Sequence, residues 1–238
     1  MTAEPDGSAS EAAARQRDLV TLFVALVVAV LLSSVARSLT LRGPVDGAVL
    51  QVLVRDAAVW LPLASGIAWV GRRSGRDLRA RLGLGLGDLV VALGIVVVAR
   101  VVDAVVSVAL TGSTGLAPVP SLGRPDVGLL LTSAIGIVLV SPALEELFFR
   151  GCVQRLLAAE LPPRARWLAV LVSATAFGLA HLFLGAATTT LDGLQVFATT
   201  FVLGLLTGTL VALTDRIGGA VLAHVLFNAV AVAATWPR

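Results

Sequence analysis

Long apolar runs, each bounded by a short polar link, recur from Leu19 almost to the end of the chain. About 20 apolar residues in a helix cross the hydrocarbon core of a bilayer. The pattern predicts seven spanning helices, at 19–36, 49–71, 88–110, 127–158, 166–184, 194–214 and 217–235. A further or re-entrant segment in the C-terminal half would make eight. The runs are long and continuous, not short and alternating, so strands are not expected. The second helix contains Arg55, Asp56 and Pro62 and is expected to begin late or to break. Residues 111–126 hold three Pro and three Gly and read as a loop, and 185–193 as a short polar link. The expected class is all-α, a polytopic transmembrane bundle.

The first 18 residues are polar and mixed in charge, with Glu4, Asp6, Glu11, Arg15, Arg17 and Asp18. They read as a flexible tail, and their acids argue against a signal peptide. Three parts result: a tail over 1–18, N-terminal membrane helices over 19–126, and a C-terminal core over 127–235. Arginines cluster at 72–81, as Arg72, Arg73, Arg76, Arg79 and Arg81. The positive-inside rule makes that loop cytoplasmic, and alternation then puts the N-terminus inside as well.

Composition sharpens this picture. Charged residues make up 14% of the chain, against about 25% in ordinary soluble domains, and 57% are hydrophobic. The expectation is an integral, multi-pass protein embedded in a lipid bilayer. All 18 basic residues are arginine, dispersed in loops without interleaved aromatics, so no nucleic-acid partner is expected. Composition and size point to a bacterial plasma membrane. The single cysteine, Cys152, excludes an internal disulfide and reads as a small apolar filler.

Within this apolar background stands Glu145-Glu146-Leu147-Phe148-Phe149-Arg150. An ionisable group at membrane depth costs at least about 2.5–3.5 kcal/mol, so it faces a partner or a cavity. The only two histidines, His181 and His224, lie in later apolar helices. Were the fourth helix to end at Leu144, Glu145 would sit roughly 15 Å from the depth of His181. A helix continuing to about Ala158 removes that mismatch. Glu146 and Arg150 are i and i+4 and form a structural pair; Glu145 points about 100° away, toward a cavity. Pro142 removes a backbone hydrogen bond just before them and is expected to kink the helix. His224 and Asn228 are again i and i+4. Gly178, Gly204 and Gly208 would let helices approach closely, and Arg100 and Asp103 read as an internal ion pair.

Two chemistries fit the residues. Glu145 could take a proton from water that His181 orients, with His224 and Asn228 donating to an oxyanion. Alternatively Glu145, His181 and His224 could hold Zn²⁺ with one position open for water. The absence of H-E-x-x-H weakens the second.

The segments Glu145-Glu146…Arg150, Phe177…His181 and His224…Asn228 resemble the CAAX protease and bacteriocin-processing family, also called Abi. It includes the type II CAAX prenyl, or Ras-converting-enzyme-like, endopeptidases. The resemblance covers about Val127 to Ala233. It implies an intramembrane endopeptidase acting on a membrane-associated or lipidated peptide or protein. By motif position Glu145 is the base, His181 orients water, His224 and Asn228 form the oxyanion hole, and Glu146–Arg150 supports the site. The family is described as glutamic or metallo-. With two histidines and one spare carboxylate, the reading without a cofactor is preferred, with zinc as its rival. A non-catalytic scaffold or immunity-type protein is the rival from another class. A transporter would call for an internal repeat, and the motif helices have no counterpart before Val127.

Overall fold

A computed structural model describes residues 7–43, 45–74, 82–118, 120, 126–185 and 189–237. The main helices are α1 (Gly7–Arg42), α2 (Ala48–Ser74), α3 (Leu86–Thr111), α4 (Val127–Glu160), α5 (Trp167–Leu184), α6 (Thr190–Thr214) and α7 (Gly218–Thr235). Seven stretches among the described residues are long and apolar enough to cross a membrane, and none of these residues forms a strand.

Two expectations need correcting. Residues 7–18 are not a tail: they open α1. Its first turns dock on the end of α4, where Arg15 pairs with Glu160 as well as with Glu11, and Asp18 is buried. The rest of the expected tail, residues 1–6, lies outside the described residues. Nor does α2 break, since it runs through Pro62 without interruption. Packed neighbours in a bundle re-satisfy the backbone around a proline. Arg55 is accommodated by donating from Nε to Thr40 Oγ1 across the α1–α2 turn at 2.9 Å. Of the arginine cluster, Arg72 and Arg73 close α2; Arg76, Arg79 and Arg81 lie outside the described residues.

Other ends obey local rules. α3 starts where Asp88 accepts from the Gly85 backbone N–H, and stops at Gly112, whose φ of 74° favours glycine. Thr189 and Asp192 form a reciprocal capping box at the start of α6.

Beside its buried aromatic and leucine core, the bundle buries many small residues and turns many large aliphatic ones outward. Ala29, Ala92, Ala174, Ala220 and Ala223 are fully buried, while Phe23, Leu31, Val90, Val97 and Leu213 point outward. With apolar lipid outside, large aliphatic side chains gain little from the interior, and small ones let helix backbones approach. The glycines behave as their spacing predicts. A Cβ on Gly204 would lie 3.2 Å from Ala174 Cα, and one on Gly178 would lie 2.9 Å from the Phe197 ring.

α4 is central, touching α1, α2, α5, α6 and α7. On one side lies a core of Leu22, Leu63, Phe148, Phe149, Cys152 and Phe177. On the other lies a core of Ala92, Ile95, Ala99, Leu203, Ala223 and Phe227. The candidate site occupies the seam between them.

Candidate active site

α4 is not uniformly α-helical. Gly136–Val140 and Leu147–Gln154 are π-helical and bracket the α-helical Ser141–Glu146. Each π segment closes i→i+5 bonds and shifts the phase of the turns beyond it; such widened turns are frequent at functional sites. The helix continues to Glu160, so Glu145 comes to the depth of His181, as the longer-helix reading requires.

Adjacent residues on a helix point about 100° apart. Glu146 therefore turns inward. It is fully buried, pairs with the equally buried Arg150 at 3.2 Å, and accepts from His224 Nδ1 at 3.0 Å. The Arg150 guanidinium lies 4.3 Å from the Phe177 ring centre, and a Cβ on Gly204 would meet Arg150 Nη2 at 3.1 Å. The pair thus rests against an aromatic face and a helix backbone.

Glu145 turns the other way. Its Oε2 lies 3.7 Å from His181 Nε2 and 3.9 Å from His224 Nε2. Both distances exceed a direct hydrogen bond. The ring orientations are fixed behind the site. His181 Nδ1 lies 2.9 Å from Phe177 O, and a carbonyl only accepts, so Nδ1 carries the hydrogen. His224 is held the same way by the Glu146 carboxylate. Both Nε2 atoms are left facing Glu145. The side chains of His181 and Glu145 keep 27% and 15% exposure against 4% for His224, so access is from the Glu145–His181 side.

Asn228 lies one turn beyond His224. Its Nδ2 donates to the Ile137 carbonyl on α4 at 2.8 Å. Glu145, Glu146, Arg150, His181 and His224 thus meet between α4, α5 and α7, while Asn228 contacts α4 at Ile137, eight residues before Glu145.

A zinc ion suits one carboxylate and two imidazoles in kind. Ligands at about 2.1 Å around tetrahedral zinc lie about 3.4 Å apart, closer than Glu145 is to either ring nitrogen. Among the described residues no group of three His, Cys, Asp or Glu could hold a metal ion. In this arrangement the set does not fit zinc, and no step is derived through a metal.

A family model described as type II CAAX prenyl endopeptidase Rce1-like matches residues 127–230. Residues 127–230 are thus similar to the Rce1-like family. The match runs from the start of α4 through most of α7, contains all six site residues, and leaves α1–α3 outside. No curated protein and no solved structure matches the chain. The Rce1-like family is one of CAAX endopeptidases, so the chain is a peptidase, and its seven spanning helices make it an integral membrane protein.

Sequence reasoning assigned no role to several neighbours of the candidate site, among them Phe177, which it had named only as part of the Phe177…His181 segment. Phe177 is fully buried edge-on to His181 and His224, at 4.4 and 5.7 Å between ring centres. Its place one turn before His181 was the available signal. Trp60 donates to Ser141 Oγ at 2.9 Å, and Asp56 and Trp60 press on Gly136, where a Cβ would lie 2.7 Å from Asp56 Oδ2. Ser173 and Gln154 donate to the carbonyls of Phe149 and Gly208, bracing the second π segment. These contacts link residues far apart in sequence, and no local pattern announces them.

Proposed function

We propose that the chain cleaves a peptide bond of a lipidated or otherwise membrane-associated peptide or protein, using water activated by Glu145 without a metal. Glu145 takes a proton from water held between its carboxylate and His181, and the hydroxide attacks the scissile carbonyl. His224, its ring fixed through Nδ1 by Glu146, donates from Nε2 to the developing oxyanion. When the tetrahedral intermediate collapses, the C–N bond breaks and the proton on Glu145 passes to the leaving amine. Arg150 pairs with Glu146 and holds it in place behind His224. The reading places the N-terminus in the cytoplasm of a bacterial cell and takes residues 127–235 as the protease unit.

The observation that carries the reading is the approach of one membrane-depth carboxylate to two imidazole Nε2 atoms, at 3.7 and 3.9 Å. Each gap is one that a bridging water spans. The test is cleavage of quenched lipopeptides by detergent-purified protein, wild type beside Glu145→Gln and His181→Ala, with and without a zinc chelator. Activity lost in both variants and kept in chelator is expected. Activity lost in chelator and restored by Zn²⁺ would overturn the metal-free mechanism, and an active Glu145→Gln would overturn the base.

A further inference from the structure

The Asn228 side chain bonds to a backbone carbonyl, and the reason lies in how α4 is wound. In the π turn Gly136–Val140, the Ser141 N–H reaches back five residues to Gly136 O. The next carbonyl, Ile137, would take its bond from residue 142. Residue 142 is proline and has no N–H to give. The Ile137 carbonyl is therefore the one that Pro142 orphans, and it is the carbonyl that Asn228 Nδ2 reaches, at 2.8 Å, from another helix.

We propose that Asn228 is a positioning residue, supplying from α7 the hydrogen bond that Pro142 withholds and so fixing the winding of α4 that aims Glu145. The proposal deepens the protease reading above and rests on it for the role of Glu145. Glu145 lies three residues beyond Pro142, within the same α-helical segment, Ser141–Glu146. A π turn carries one more residue per bond than an α turn, so its gain or loss rotates everything after it by about 100°. That rotation is the angle separating Glu145 from Glu146. An unpaired carbonyl within a membrane helix favours rewinding, because no water is there to satisfy it.

Other contacts hold the two ends of the link. Trp60 Nε1 donates to Ser141 Oγ at 2.9 Å, bracing the α4 turn from α2. On α7, Arg100 donates to the carbonyl of Phe227, the residue before Asn228, and its guanidinium lies 3.4 Å from the Phe227 ring centre. The Asn228–Ile137 bond thus joins two braced backbones. The bond to Ile137 uses one of the two hydrogens on Nδ2, and the test below separates this role from donation to an oxyanion by the other.

The test is a double-mutant cycle on full-length protein. Asn228→Ala is expected to lower kcat about tenfold, the scale of one hydrogen bond left unmade. Pro142→Ala returns a backbone N–H at 142. In that background Asn228→Ala is expected to cost about twofold or less. Amide hydrogen exchange across 136–146 supplies a readout independent of turnover. It rises in Asn228→Ala and returns toward wild type in the double variant. Equal loss of kcat in both backgrounds with unchanged exchange would overturn the proposal and make Asn228 an oxyanion donor. No change in kcat or exchange would overturn it too. Glu145→Gln belongs in the same panel: if it stays active the protease reading fails, while the exchange data still decide the Asn228–Pro142 coupling.

Discussion

Asp103 in α3 and Glu145 in α4 are both carboxylates within spanning helices, and their surroundings differ. Both oxygens of Asp103 are engaged. Arg100 Nη1 donates to one at 2.8 Å and Thr199 Oγ1 to the other at 2.8 Å. Arg100 spends its remaining terminal nitrogen on the Phe227 carbonyl and covers the Phe227 ring, leaving only Nε without a partner. Glu145 meets its neighbours at 3.7 and 3.9 Å, and both are imidazoles whose far sides are already held. A charge that is closed off by direct bonds stabilises a bundle. On the proposed mechanism, a carboxylate held just beyond bonding distance of two imidazoles is the one arranged for turnover. If that mechanism holds, the difference separates the structural carboxylate from the reactive one where burial alone does not.

The sharpest way to break the comparison is to neutralise each carboxylate in place. Glu145→Gln should lower kcat by about 10²–10⁴-fold, the usual contribution of a general base. It should leave thermal unfolding in detergent close to wild type, because among the described residues Glu145 makes no direct hydrogen bond that the amide would lose. A large fall in unfolding temperature would mean that Glu145 is a structural charge after all.

Arg150→Met tests the support beneath the site. The side chain is replaced at similar length while Glu146 remains fully buried without its counter-ion. Breaking one partner from such a pair costs about 3–5 kcal/mol, so the folded yield and unfolding temperature should both drop. His224 keeps its contact with Glu146, but the ion pair that fixes Glu146 in place is gone. A variant as stable as wild type would show that the Phe177 face and Gly204 packing, and not the ion pair, hold this part of α4.

Asp103→Asn should behave in the opposite sense to Glu145→Gln. It leaves Arg100 without its carboxylate, although the Phe227 carbonyl and ring remain. A loss of about 2 kcal/mol in stability is expected, with kcat per folded molecule little changed. A selective fall in kcat at unchanged stability would place the α3 cluster in the chemistry.

Much of this architecture was legible because membrane chemistry is strict about charge. Glu146 and Arg150 sit at i and i+4 and pair; depth matching carried α4 past Leu144; Gly204 and Gly208 mark a close helix crossing. The unread part has physical causes. A π turn such as Gly136–Val140 uses the same apolar residues as an α turn, so hydropathy cannot reveal it. Pro62 and Arg55 looked like breaks in α2, but neighbouring helices satisfied them. The bonds from Asn228 to Ile137 and from Thr199 to Asp103 span 91 and 96 residues, beyond the reach of any helical spacing rule. Residues 7–18 read as a tail because their polarity was visible, and their docking partner Glu160 on α4 was not.

The smallest expected effect isolates one bond of the closed cluster. Thr199→Val removes the hydroxyl and keeps the shape. Asp103 Oδ1 then loses its donor inside the bundle, while the Arg100–Asp103 pair at 2.8 Å persists. One neutral donor to a charged acceptor is worth about 1–2 kcal/mol, and the membrane reference state lowers that toward about 0.6. A fall in unfolding temperature smaller than that of Asp103→Asn is therefore expected, with unchanged kcat and KM. In the double variant with Asp103→Asn, the two losses should sum to less than their separate values, because they share a partner. Full additivity would mean that Thr199 and Asp103 stabilise the bundle independently, and that the α3 cluster is not the closed network its distances describe.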